Sequence, residues 1–301
     1  MIHVYVTHHV TADLEWINDL LVDQLCRMRD QLDGRKYKIH VVYWTDDARY
    51  EQELTRRVPS DVTLVRNDRS NRPDTQPSKR NKVVEHARAS DCEAFVLLHN
   101  DVRLARGAMD HLVEDWRAAE KKFGRASTIV SPHYMPYHLG SPRPEAVTRP
   151  EIWDRLRGSA KSVEEMRALC RDWDATFEGE DVVCPRKSRT TDDGHILMMF
   201  IAGPRFFDAV GPCDESMTGF NFDDSDWGMR ALMCGKRNLQ STGALVGHVS
   251  FLSFGPLMKS SVWSAGAADN AKLFIDKWGR EIFDEMQTGQ LWIRLHEEQR
   301  A

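Results

Sequence analysis

Hydrophobic and polar positions fall into blocks that switch between a period of two and a period near 3.6. IHVYVTH (2–8) alternates and is rich in β-branched residues, which predicts a first strand. Leu14, Ile17, Leu21, Leu25, Met28 and Leu32 recur at helical spacing, and Gly34 marks the stop. YKIHVVYW (37–44) predicts a second strand closed by Thr45-Asp46-Asp47, and DVTLVRN (61–67) a short third. A polar loop spans Asp68–Gln76, after which Ser78 is placed to cap a helix carrying Val83, Val84 and Ala87. In FVLLHNDVRL (95–104) an apolar run stops abruptly at His99-Asn100-Asp101, with a helix-like segment expected next. Met109, Leu112, Val113, Trp116 and Phe123 define an amphipathic helix ended by Gly124, and STIVSPHYM (127–135) is a further strand.

Strand–helix alternation of this kind predicts an α/β fold: a Rossmann-like, largely parallel central sheet flanked by helices. The texture changes from Pro136 to about Asp193, where proline, arginine and other charged residues dominate. One helix is expected there, opened by Ser162-x-x-Glu165 as a capping box. The stretch is expected to be an insertion over one sheet edge, where long insertions often serve a ligand site, without a rigid core of its own. Regular structure resumes with HILMMFIAG and RFFDAVG, and residues 269–286 predict a C-terminal helix. A single domain over 1–301 is the economical reading. Its first half would be 1–104, its second 105–268 with the insertion at 136–193, and its helical tail 269–301.

Composition narrows the classes. Over 301 residues the net charge is −5, so no global basic field draws the chain onto nucleic acid. The six cysteines form no CxxC pair and read as buried thiols of a reducing compartment. Met1 leads directly into a strand, and the longest apolar run, from Ile196, is too short to span a bilayer. A soluble, cytoplasmic protein is expected.

The candidate chemistry starts at Asp101. A buried strand that stops at a carboxylate puts it on the carboxyl edge of the sheet, where open α/β folds bind ligands. Together with Asp223-Asp224 and His248 it is a candidate ligand for a hard divalent cation holding a phosphate-bearing substrate. The plainer alternatives stand beside it: Asp101 ends a strand, His248 is a core histidine, and Asp223-Asp224-Ser225-Asp226 is an acidic helix start.

Residues 205–230, RFFDAVGPCDESMTGFNFDDSDWGMR, resemble the family-two glycosyltransferases of the GT-A fold. Arg205, Phe207, Val210, Gly211, Asp214, Glu215, Asp223, Asp224, Asp226 and Arg230 follow that family's order, with Phe207 one place early. LLHNDV resembles its metal-binding D-x-D segment, GHVSF its late histidine and DNAKLFIDKWG its terminal segment. The resemblance implies a GT-A fold and an inverting transfer from a nucleotide-diphosphate sugar, a UDP-sugar above all, with Mn²⁺ or Mg²⁺ at the diphosphate. It implies Asp101 and His248 as metal ligands, with His99 standing where the family offers an acid. Asp224 would be the catalytic base and Asp223 its neighbour, raising its pKa, while Asp226 and Arg230 form a structural ion pair. Thr7, His8, Asp46, Asp47, Arg80 and Asn100 would lie along the donor, although Ala48-Arg49 replaces the usual Gly-Ser after Asp47. Trp227 either stacks on an acceptor sugar or is a core aromatic.

Three functions compete at this level. The first is a glycosyltransferase acting on a glycan, lipid-linked glycan or protein. The second is the same enzyme acting on hydroxymethylated bases of phage-type DNA, supported by basic residues such as Arg66, Arg69, Arg72, Lys79, Arg80 and Lys82. The third is a catalytically silent nucleotide-sugar-binding module.

Overall fold

The computed structural model describes residues 1–9, 15–45, 48–68, 75–135, 162–179, 190–192, 198–218, 221–248 and 260–299, together with Glu151, Val182 and Cys184. Nine strands form one sheet: β1 (Ile2–His9), β2 (Tyr37–Trp44), β3 (Thr63–Arg66), β4 (Ala94–His99), β5 (Val102–Leu104), β6 (Thr128–Met135), β7 (Thr190–Asp192), β8 (Met199–Ala202) and β9 (Arg237–His248). Their order is β3-β2-β1-β4-β8-β6-β9-β5, and β7 pairs with β9 off that path. β1 to β4 are mutually parallel, β6 runs parallel to β9, and β5, β7 and β8 run against them. The mixed α/β architecture with a mainly parallel sheet is the one the alternation predicts.

The helices are α1 (Glu15–Gln31), α2 (Ala48–Arg57), α3 (Gln76–Ala89), α4 (Ala108–Phe123), α5 (Val163–Glu178), α6 (Phe207–Val210), α7 (Asp223–Met233), α8 (Ser260–Trp278), α9 (Arg280–Gln287) and α10 (Gln290–Glu298). The period of two in β4 sorts its side chains onto both faces. Val96 and Leu98 pack with Leu21 and Leu25 of α1 and Leu112 and Trp116 of α4. Phe95 and Leu97 pack on the other face with Val83 and Val84 of α3 and with Phe206, Phe207 and Trp227. Burying each such side chain stabilises the fold by about 1.5–3 kcal/mol.

Three local expectations change. The cap of α3 is Thr75, whose side chain accepts from the Ser78 N–H, so Ser78 sits inside the first turn. A strand, not a helix, follows Asp101: Val102–Leu104 pairs antiparallel with β9, Val102 opposite His248. The helix expected behind Ser162 is present, with Ser162 Oγ accepting from the Glu165 N–H, but it is no loose cover. Cys170, Trp173 and Phe177 are buried against Ile17 and Leu20 of α1 and Met135 and Leu245 of the sheet. The rest of the expected insertion lies largely outside the described residues. Among the described residues no helix is long and apolar enough to cross a membrane, and all six cysteines are free thiols.

Candidate functional site

Because β1, β4 and β9 run the same way, their carboxyl ends share one sheet edge. Thr7 lies beside His99 in register, and the β5 turn brings Asp101 next to the end of β9. There His248 Nε2 stands 3.2 Å from Asp101 Oδ2. The two residues are 147 positions apart in sequence, and the antiparallel pairing of β5 with β9 is what joins them.

This corner has unused polar atoms. Asp101 Oδ1 and His99 Nε2 are buried without a hydrogen-bond partner. Burial pushes the Asp101 carboxyl up, but the adjacent His248 and His99 imidazoles more than offset that and hold it below its ordinary value. Burial lowers His99 to about 3 and keeps its ring neutral, with Arg80, His248 and Lys79 adding to the effect. One anionic oxygen and the neutral His99 imidazole, with the His248 ring beside them, fit a hard divalent cation that takes its other oxygens from a substrate. Among the described residues no group of three or more His, Cys, Asp or Glu side chains is arranged to hold a metal ion by itself. A cation here would therefore rest on few protein ligands.

The second corner is made by two helix starts. The N-terminal part of α3 carries Lys79 and Arg80, both buried, and the first turn of α7 carries Asp223 and Asp224. Arg80 Nη1 donates to Asp223 Oδ2 at 2.6 Å, with both side chains nearly out of solvent. Burial, reinforced by Asp224, pushes the Asp223 carboxyl up to about 6 against the opposing pull of Arg80. The raised pKa thus belongs to Asp223, the residue expected to act only as a neighbour. Asp224 is half-buried, with Oδ1 accepting from the Ser225 N–H. Asp226 Oδ2 accepts from Arg230 Nε at 3.0 Å and lies 3.0 Å from its Nη2, the ion pair anticipated one helical turn apart.

Several expected donor contacts have other employment. His8 is fully buried, with Nε2 2.7 Å from Asn18 Oδ1 and Nδ1 3.0 Å from Asn100 Nδ2. It braces the turn before Asp101, and Asn100 is turned toward it. Thr7 is buried, its hydroxyl directed at the Leu98 carbonyl. Arg80 is tied to Asp223 and is not a solvated helix residue. Asp46 and Asp47 lie outside the described residues. Of the two alternatives for Trp227, the packing matches the core aromatic: it is fully buried, stacked 4.4 Å from Phe207, and its indole N–H donates to the Gly211 carbonyl. No ring face remains for an acceptor sugar.

Other residues in the site carry weak sequence signals. Asn18 orients His8 from inside α1. Arg103, a charge inside the apolar run VRL, is buried with its Nε 3.4 Å from Asp174 of α5. Lys79 beside Arg80 reads as a surface cluster until the cap at Thr75 turns it inward.

No protein-family model and no curated protein matches the sequence. Solved structures do match the fold. One is a crystal structure of GalNAc-T7 with UDP, GalNAc and Mn²⁺, at 13% identity and a TM-score of 0.50, over 82% of this chain and 43% of that one. The fold is of the GT-A type. A mycobacterial protein aligns over 91% of this chain and 74% of its own at 12% identity, with a TM-score of 0.47. The chain spans less than half the length of the GalNAc-T7 chain.

Proposed function

We propose that the protein is a metal-dependent, inverting glycosyltransferase. It takes a sugar from a nucleotide-diphosphate sugar, a UDP-sugar in the first instance, and gives it to a hydroxyl of a glycan, lipid-linked glycan or protein. The observation that carries this is the Asp101–His248 pair with its unsatisfied carboxylate oxygen, set on the carboxyl edge of a sheet of this fold.

In this reading Asp101 and His248 would hold Mn²⁺ or Mg²⁺, and the chemistry the ion would supply is neutralisation of charge on the departing diphosphate. His99 remains neutral beside them. Asp224 takes the proton from the acceptor hydroxyl while that oxygen bonds to the anomeric carbon. The bond from that carbon to the diphosphate breaks, and its electron pair leaves with the nucleotide. Asp223, locked to Arg80, keeps Asp224 in place and shares none of the proton transfer. The described members of the basic stretches do not favour a DNA acceptor. Arg66 pairs with Glu51, Lys82 with Asp68 and Glu85, and Arg80 with Asp223, while Lys79 is buried.

A panel of UDP-sugars tested for UDP release with Mn²⁺, Mg²⁺ or EDTA checks the reading. Release is expected only with a cation. Asp224→Asn should cut turnover by ~10²–10⁴-fold while UDP affinity stays near wild type. Cation-dependent binding without any turnover would leave a silent binding module, and neither binding nor turnover would remove both readings.

A further inference from the structure

Helix α7 begins in an unusual way. Asn221 and Phe222 both have left-handed backbone, with φ of 63° and 66°, immediately before Asp223. Asparagine tolerates this conformation, whereas a bulky aromatic residue seldom adopts it unless its surroundings impose it. The Phe222 carbonyl nevertheless accepts the first helical hydrogen bond, from the Asp226 N–H at 2.8 Å. The direction in which Asp223 and Asp224 leave the chain is therefore set by two left-handed residues, of which Phe222 carries the strain.

The C-terminal helices supply what holds them. Asn270 of α8 is fully buried and donates its side-chain N–H to the Asn221 carbonyl at 2.8 Å. The Phe222 ring sits 6.0 Å from Phe274 of α8 and 5.5 Å from Phe283 of α9. One turn further on, Asp226 Oδ1 accepts from the Trp278 indole at 2.8 Å and lies 2.9 Å from Lys277 Nζ. Lys277 also reaches Asp214 Oδ2 at 2.9 Å. Three polar side chains of α8 thus meet the start of α7, Asn270 at Asn221 and Lys277 and Trp278 at Asp226.

We propose that the C-terminal helices hold the Asn221–Phe222 turn in its left-handed form, and that Asn270 is thereby a positioning residue for Asp223 and Asp224. The proposal rests on the glycosyltransferase reading for its kinetic consequence, but the geometry it asserts does not. Asn270→Ala removes the hydrogen bond and leaves the aromatic packing. Without it the turn relaxes, the base leaves its line to the acceptor, and Asp223 loses its buried seat against Arg80.

The test uses the full chain, with Asn270→Ala and the double variant Asn270→Ala, Asn221→Gly. Glycine takes positive φ without steric cost, so it restores the turn without restoring the bond. Asn270→Ala is expected to lower kcat at least tenfold with KM for the UDP-sugar within twofold, and the double variant to recover threefold or more. Carbon-13 NMR titration of the Asp223 carboxyl supplies a readout independent of turnover. Its pKa should move down toward the ordinary aspartate value in Asn270→Ala and return in the double variant. Unchanged kcat and titration in Asn270→Ala, or a loss that Asn221→Gly does not reverse in either readout, overturns the proposal. A wild type without transfer activity but with the expected titration shifts would sink the glycosyltransferase reading alone.

Discussion

The two corners of the site handle their charges in opposite ways. At the strand edge, Asp101 and His99 each keep a buried polar atom with no partner. At the helix starts, the carboxylates of Asp223 and Asp226 are each closed by an arginine, from α3 and from within α7. Leaving a buried polar group unmade costs about 1–3 kcal/mol, so an open carboxylate oxygen persists where a ligand completes it. A closed ion pair, by contrast, fixes geometry and leaves little for a substrate. In the proposed function the strand edge would be the seat, and the helix starts would be the frame that aims Asp224 at what is seated.

Breaking the frame should have the largest effect on stability. Arg80→Ala leaves Asp223 buried and uncompensated, and losing one partner of a buried pair costs about 3–5 kcal/mol. Urea denaturation should show that loss, and Arg80→Ala, Asp223→Asn together should recover part of it. Equal stability of Arg80→Ala and wild type would mean that the pair does not close the frame.

Crowding the seat from behind is the next test. A Cβ at Gly247 would meet the Trp173 ring at 2.3 Å, against a rigid indole that is itself fully buried. Gly247→Ala should cost about 1–3 kcal/mol by overpacking and should weaken metal-dependent binding, because its neighbour is His248. Trp173→Leu in the same background should restore part of both. Full stability of Gly247→Ala would show that α5 is not pressed against the seat.

How much of this was legible in the sequence differs between the corners. Strands β1, β2 and β4 were plain, because a period of two with β-branched residues has few other outcomes. Asp101 followed from the strand that ends there, and His248 from its resemblance to a late family histidine. Their contact needed β5, a three-residue strand that no periodicity announces. The frame was harder to see. Arg80 and Lys79 look like a solvated basic face, and only the Thr75 cap and the tertiary partner Asp223 turn them inward. Trp227 and His8 look functional by type, and packing claims both. Helix α5 was read as a polar insertion because its apolar residues Cys170, Trp173 and Phe177 are few, although they share one buried face.

A test away from both corners concerns pH and lies on the α3 face of the sheet. His3, Tyr5, His40 and His86 form a ring cluster, with His40 stacked 4.7 Å from Tyr5 and the Tyr5 hydroxyl 2.8 Å from His86 Nδ1. Burial lowers His3 to about 4 and His40 to about 3, and lowers His86 as well; Lys38, Lys82 and the N-terminus add to this, while Glu85 opposes it at His86. The folded state therefore refuses protons that the unfolded chain accepts. Stability is level above about pH 6.5 and falls below it, by up to ~1.4 kcal/mol per pH unit for each histidine. Asp223, raised to about 6, runs the other way, since the folded state keeps its proton between roughly pH 4 and 6. Denaturant midpoints from pH 7.5 to 4.5 should fall, and His40→Phe should flatten the slope. A slope unchanged by His40→Phe would place the acid sensitivity elsewhere.

The most direct test of the seat is calorimetric titration of UDP into wild type and Asp101→Ala, with Mn²⁺ and with EDTA. Binding in Mn²⁺ alone, lost in Asp101→Ala while the unfolding temperature holds, is the result expected. UDP binding that persists in EDTA, or that Asp101→Ala leaves untouched, contradicts a cation-held donor at this edge.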